Sequence, residues 1–320
     1  MVRAAQAPHA ARADRHGGHP SVGAPTVRLY QAGLSHTSRT VPAHQHIARV
    51  ITMTIVSRTK VRASSWGALF DCAYKWEYEV LNQHRKAVGL RAALGTAIHA
   101  STAVFDQALI DGNTIKPADA AEVFVNKLKH PEYDVDYTQD ELTVKQAESI
   151  GLTLHTKYCT TIAPTMRYES VEAPFMPLDI DCGGGVIVQL TGTMDRARVA
   201  SGKGRRIVDL KSGERAIVGG TVTTRGHAAQ CGTYQLLDDH TTGKTSEGAQ
   251  IVGLMTSSKP RVGVSPVFDA RKVMVGTDGQ KGLIEYAAEM FRTGLFPPNP
   301  RSMLCSPKYC ARWNSCIFHE

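Results

Sequence analysis

The chain has 320 residues, 42% of them hydrophobic, enough for a sizeable core in one or two domains. No run approaches the roughly 18 consecutive apolar residues of a membrane helix, so a helical membrane span is excluded. The formal net charge is +8, but residues 1–60 hold 8 Lys/Arg against Asp14 alone, so the remainder is nearly neutral and any DNA-binding surface must be a local patch.

Residues 1–56 are rich in Ala, Arg, His, Gly and Pro and lack Trp and Phe, and the first Glu of the chain is Glu77. Such a segment buries too little apolar surface to offset its ordering entropy, and it lacks the apolar core of a secretory signal. A disordered basic tail is expected, or an over-extended reading frame whose start is Met53. An Arg-rich organelle leader is the lesser alternative.

From Ser57 the pattern becomes regular. Residues 64–86 predict a helix capped by Ser64 or Ser65, with Trp66, Leu69, Phe70, Ala73, Trp76, Tyr78 and Val80 near a 3.6 period. A second helix is expected over 92–110, with Leu94, Ile98, Val104, Phe105 and Leu109 apolar and Asp111-Gly112-Asn113 as its stop. Two more follow over 117–129 and 138–160, around an acidic loop with Asp134 and Asp136. After Pro164 the period shortens. Residues 168–176, 186–199 and 205–211 read as strands, the last two joined in a hairpin by Ser201-Gly202-Lys203-Gly204. A helix over 226–238, an apolar strand over 249–256 and a helix over 280–293 precede a Pro-rich exit and a Cys-rich tail. This order predicts one α/β domain over 57–320 with a helical N-terminal part.

The most informative stretch is Gly192-Thr193-Met194-Asp195 followed by Ile207-Val208-Asp209-Leu210-Lys211. Residues two apart on a strand share a face, so Asp209 and Lys211 point the same way. Strand cores rarely carry charges there. If the hairpin pairs these strands, Asp195 approaches Asp209, and two such carboxylates repel unless a divalent cation lies between them. Taken alone, the same residues also read as a surface hairpin with a solvated ion pair. Upstream, Gly95-Thr96-Ala97-Ile98-His99 places a His one turn after a helical Gly, which costs about 1 kcal/mol relative to Ala and so suggests a close packing contact. Downstream, Gln230 and Tyr234 stand at i and i+4 on one helical face.

The ordered set G-x-x-x-H, G-x-x-D, D-x-K and Q-x-x-x-Y resembles the RecB-like branch of the PD-(D/E)xK nuclease superfamily, over most of residues 60–320. The resemblance implies a restriction-endonuclease-like core, a mixed sheet flanked by helices. It implies that His99, Asp195 and Asp209, with the backbone carbonyl of Leu210, hold Mg2+ or Mn2+, and that Lys211 is catalytic. Gln230 and Tyr234 would assist in binding or positioning DNA. Glu172, on the preceding strand, is expected to be an exposed carboxylate.

Seven cysteines occur, and no disulfide framework is expected without a secretory signal. Cys159, Cys182 and Cys231 read as ordinary small residues. Cys305, Cys310 and Cys316 crowd the C-terminus, and Cys72 lies far upstream. Four thiolates suit a [4Fe–4S] cluster or, alternatively, zinc. The arrangement is similar to the iron–sulfur subset of RecB-like nucleases, seen in the AddB helicase-nuclease subunit and a CRISPR-associated exonuclease family. There one Cys precedes the nuclease motifs and three follow, and the cluster staples the ends of the domain. Here the last pair keeps the C-x5-C spacing, while four residues rather than two separate Cys305 from Cys310. Trp313, Tyr309 and Phe318 are expected to pack around that site.

The expected activity is metal-dependent phosphodiester hydrolysis by a cytoplasmic DNA exonuclease working in recombination or repair. No G-x-x-x-x-G-K-[ST] motif is present, so the expected partner is a separate helicase or annealing protein, in the format of a phage or prophage nuclease. Two alternatives stay open at this level: a non-catalytic DNA-binding scaffold on the same fold, and a redox- or iron-sensing protein.

Overall fold

The structure, a computed structural model, describes residues 56–199 and 204–319. The expected basic tail before Val56 and the hairpin turn at 201–203 lie outside the described residues. The chain enters as strand β1 (Ser57–Arg62), which its polar sequence does not announce. The long helix expected over 64–86 is instead broken at Cys72, whose extended backbone (φ −147°, ψ 95°) separates α1 (Trp66–Asp71) from α2 (Ala73–Trp76). The break has a tertiary cause: the backbone N–H of Asn299 donates to Cys72 Sγ at 3.4 Å, and its side chain donates to the Asp71 carbonyl at 2.9 Å. Ser65 does not cap α1; its hydroxyl accepts from Trp76 Nε1 at 3.1 Å. Of the apolar positions of that period, Trp66, Leu69, Ala73 and Trp76 are buried, while Tyr78 and Val80 are half-buried and Phe70 is exposed.

The short strand β2 (Val88–Gly89) leads into α3 (Leu90–Ile110), which is followed by α4 (Pro117–Lys129). Beyond the short β3 (Val135–Asp136), helix α5 (Val144–Lys157) begins later than its pattern suggests. A capping box sets its start: Thr143 Oγ accepts from the Gln146 N–H, while Gln146 Oε1 accepts from the Thr143 N–H.

Strand β4 (Tyr168–Val171) stops at Glu172, which turns into the left-handed region at φ 47°. Next come β5 (Leu178–Asp181), β6 (Val186–Thr191) and β7 (Arg196–Val199), so the single strand expected over 186–199 is two strands in different sheets. Then follow β8 (Arg205–Gly213), the β9–β10 pair (Ile217–Val218 and Thr221–Val222) and α6 (Ala228–Thr242). The chain ends with β11 (Gly248–Met255), β12 (Arg261–Val264), α7 (Arg271–Val275) and α8 (Leu283–Thr293).

The main sheet has the order β12–β11–β8–β7–β4, with β8 and β11 parallel and the other neighbours antiparallel. The expected β7–β8 hairpin pairing is therefore present. A smaller sheet, β1–β6–β5, pairs β1 parallel to β6. Strand β8 alternates between two cores. Val208 and Leu210, with Val252 and Leu254, pack among Leu94, Ile98, Phe124 and Leu154 of the α3–α5 layer. Ile207, with Ala249 and Ile251, packs on the other side among Tyr234, Leu237 and Met274. Each fully buried aliphatic side chain contributes about 1.5–3 kcal/mol, so this two-sided burial holds the central strand rigidly in place. Among the described residues, no helix is long and apolar enough to cross a membrane.

Candidate active site

His99 comes from α3, Asp195 from the residue before β7, Asp209, Leu210 and Lys211 from β8, and Gln230 and Tyr234 from α6. Strand register brings the acids together. Arg196 pairs with Val208, so one step further Asp195 stands opposite Asp209. Glycine lets the other elements approach. A Cβ on Gly95 would lie 2.5 Å from Ser212 Oγ, which explains a helical glycine one turn before His99. A Cβ on Gly192 would lie 3.0 Å from the Tyr234 ring.

Asp195 Oδ2 accepts from the backbone N–H of Leu210 at 2.7 Å and lies 3.6 Å from His99 Nδ1. Asp209 is 1% exposed. Its Oδ2 is 2.5 Å from Lys211 Nζ, and its Oδ1 accepts from Gln230 Nε2 at 3.2 Å. The same Gln230 nitrogen donates to Tyr234 Oη at 2.9 Å, and Tyr234 is buried. Gln230 and Tyr234 thus brace Asp209 from behind. His99, Leu210 and Lys211 line an open cleft of about 590 Å³ together with Gly95, Thr96 and Glu172.

Burial pushes the Asp209 carboxyl up, and Asp195 adds to this, so that it titrates at about 6 despite Lys211. Burial acts upward on Asp195 too, but the His99 imidazole, the Lys211 charge and the Leu210 N–H outweigh it and hold this carboxyl at about 2. His99 is raised because Asp195 overcomes its burial, and Lys211 is raised because Asp209 does the same. In this structure, among the described residues, no three His, Cys, Asp or Glu side chains form a ready-made metal-binding group. The donor set nonetheless fits a hard divalent cation. Two opposed carboxylates, one of them forced toward its neutral form, are the situation that a cation between them relieves.

A family model described as the PD-(D/E)XK nuclease superfamily matches residues 63–317. The chain belongs to this superfamily. The mixed sheet with flanking helices is the expected core. Nucleases of the superfamily typically act on DNA with Mg2+ or Mn2+. Among solved structures, the protein SSO0001 is similar at 14% identity and a TM-score of 0.33, covering 78% of this chain and 95% of its own. A protein from Eubacterium rectale, provisionally described as an exonuclease, is similar at 14% identity and a TM-score of 0.46, covering 82% of this chain and 93% of its own. No curated protein sequence matches the chain.

This PD-(D/E)XK chain gathers its four singled-out cysteines. Cys72, Cys305, Cys310 and Cys316 line one pocket with Tyr74, Arg312 and Phe318. All are free thiols, as are the buried Cys159 and Cys231 and the half-buried Cys182. Of the three aromatic residues expected there, only Phe318 lines the pocket, set edge-on to Tyr74 at 5.4 Å. Trp313 instead lies 4.0 Å from the His319 ring, and Tyr309 carries Lys308 over its face.

Two further features belong to the site. Glu172 is exposed as expected, but it is exposed into the cleft, and its backbone N–H donates to the Asp195 carbonyl at 2.9 Å. The pair Asp106 and Arg196, both buried, links the His99 helix to the Asp195 strand. Its signal was an acid seven residues after His99, on the same helix face, and an arginine directly after Asp195.

Proposed function

We propose that this chain is a Mg2+- or Mn2+-dependent deoxyribonuclease, an exonuclease that works on DNA ends in recombination or repair. The observation carrying this reading is the meeting of His99, Asp195, Asp209 and Lys211, drawn from three separate elements, beside the open cleft that His99 and Lys211 line. When the cation is bound, Asp195, Asp209 and His99 with the Leu210 carbonyl would hold it, and the chemistry supplied there is charge neutralisation at the phosphate and acidification of the attacking water. Lys211 stabilises charge developing on the phosphate oxygens. Gln230 fixes the Asp209 carboxylate, and Tyr234 fixes Gln230, while the open cleft admits a phosphodiester backbone; their helix would border the DNA. Scission leaves phosphate on the 5′ side and a 3′-hydroxyl.

In the same reading, Cys72, Cys305, Cys310 and Cys316 hold a [4Fe–4S] cluster, with zinc as the alternative for a thiolate set of this kind. The support is their shared pocket, although Cys72 lies more than two hundred residues before the other three. Such a cluster would staple the two ends of the domain. A separate helicase or annealing protein would deliver the DNA ends.

The test is degradation of end-labelled single- and double-stranded DNA with Mg2+ or Mn2+, wild type beside Lys211→Ala. Metal-dependent cleavage by the wild type, lost in the variant, is the expected result, and the label pattern gives polarity. If cluster-loaded wild type leaves both substrates intact, the enzyme reading falls and a DNA-binding scaffold on this fold takes its place.

A further inference from the structure

We propose that Arg196 is a positioning residue that clamps the helix carrying His99 to the strand carrying Asp195, and so sets the spacing of these two ligands. The inference rests on the nuclease reading and deepens it.

The guanidinium is fully buried and uses its fork in several directions. Nε donates to Asp106 Oδ2 at 2.6 Å, and Nη2 donates to Thr102 Oγ at 3.2 Å. Nη1 donates to the Asp195 carbonyl at 2.7 Å and to Glu172 Oε1 at 3.1 Å. His99, Thr102 and Asp106 stand at i, i+3 and i+7 of α3, on one face. The helix that presents His99 to Asp195 therefore grips, with the next two turns of that face, the residue that follows Asp195. Tyr158 completes the anchor by donating its hydroxyl to the same Asp106 oxygen at 2.5 Å.

Stability alone is a poor account of this arrangement. A buried ion pair is commonly no better than a well-packed apolar pair of the same volume. What a planar fork with rigid donors adds is geometry, because it holds two elements at one distance and one angle. The distance held here is that between an imidazole and a carboxylate 3.6 Å apart. Glu172, strained at φ 47°, is tied into the same clamp, so the clamp also fixes an acid that lines the cleft.

The experiment measures Mn2+ binding to the full chain, with the metal alone, by electron paramagnetic resonance. Wild type is compared with Asp106→Asn, Arg196→Lys and Thr102→Val, and the Mn2+ dependence of DNA cleavage is followed beside it. The expected result is binding about 10- to 100-fold weaker in Asp106→Asn and Arg196→Lys, the usual effect of losing a partner that orients metal ligands. Half-saturating Mn2+ for cleavage rises in step. A merely structural role lowers the active fraction and leaves that midpoint unmoved. If both buried variants fail to fold, Thr102→Val decides, because it keeps every charge and removes one bond to Arg196; a several-fold higher midpoint is then expected. Unchanged Mn2+ binding in every variant that folds overturns the clamp. A wild type that binds no Mn2+ is a different outcome: it overturns the nuclease reading, and the clamp falls with it.

Discussion

Asp195 stands in register opposite Asp209, yet its carboxylate reaches past that neighbour to accept the backbone N–H of Leu210 at 2.7 Å. The bond closes the β7–β8 ladder with a side chain where the backbone pairing has ended. Replacement of Asp195 should therefore separate two effects. Asp195→Asn keeps an acceptor for Leu210, so the fold is expected to hold while cleavage falls by about two to three orders of magnitude, the scale for removing one group that stabilises transition-state charge. Asp195→Ala also leaves the Leu210 N–H unpaired, which adds a stability loss of about 1–3 kcal/mol. Urea denaturation in chelator, run beside the cleavage assay, distinguishes the two.

Gly232 marks where α6 meets the segment before α7. A Cβ there would lie 2.4 Å from the Ala270 carbonyl oxygen and 2.9 Å from Met274 Cγ. A backbone carbonyl cannot swing aside as a flexible side chain can, so the elements must part. Overpacking of this kind costs about 1–3 kcal/mol, offset by about 1 kcal/mol from the better helix propensity of alanine. Gly232→Ala is expected to lower the denaturation midpoint, and with it cleavage, because α6 braces Asp209 through Gln230. Gly67→Ala, where an added Cβ meets open space, is the control and should be neutral or slightly stabilising.

Much of this arrangement is local and therefore legible in sequence. The alternation of Val208, Asp209, Leu210 and Lys211 places acid and lysine on one face, and the 2.5 Å ion pair between them follows directly. The limits of α4 and the existence of α3, α6 and α8 likewise follow from period and stop signals. What escapes is whatever a distant residue imposes. Cys72 interrupts a periodic helix because Asn299 takes the Asp71 carbonyl and Pro297 takes the Tyr74 N–H, both more than two hundred positions away. Strand β1 is polar on most of its length and becomes a strand only by pairing with β6. Asp106 on the His99 face and Arg196 directly after Asp195 are each visible in sequence, but their pairing arises only when the fold brings the two elements together.

Arg312 ties the C-terminal tail to α2. Its guanidinium lies 3.4 Å over the Tyr74 ring, donates to the Tyr74 carbonyl at 2.9 Å and pairs with Glu77 at 2.5 Å. A partly desolvated cation–π contact is worth about 0.5–2 kcal/mol, and a half-buried ion pair adds up to about 1 kcal/mol. Arg312→Ala is expected to loosen the tail and to speed labelling of Cys305, Cys310 and Cys316 by a thiol reagent. Arg312→Lys should restore little, since an ammonium cannot stack and fork at once. The labelling rate of metal-free protein, with cleavage peptides mapped by mass spectrometry, reads this out.

His155 is expected to make the protein less stable in mild acid. Its ring is fully buried between Ser101, whose oxygen lies 2.9 Å from Nδ1, and the Pro117 carbonyl, 2.9 Å from Nε2. A carbonyl only accepts, so the neutral ring keeps its proton on Nε2 and takes its other bond from the serine hydroxyl. The third neighbour, Cys159, sits 3.5 Å from Nε2, and burial holds its thiol up at about 12, so it stays neutral as well. Burial depresses the imidazole below its ordinary value, because a charged ring would lose its water there. In the unfolded chain the group titrates at about 6.5. A depressed folded value means the unfolded chain binds the proton first. The contribution of His155 is therefore whole above about pH 6.5 and declines as the pH falls through that value toward the folded one. The expected outcome is a urea midpoint that drops between about pH 7.5 and 5.5 in the wild type. His155→Gln, which cannot take up a proton, should start lower at the upper pH and fall less steeply. Equal slopes for the two proteins would place the acid sensitivity elsewhere.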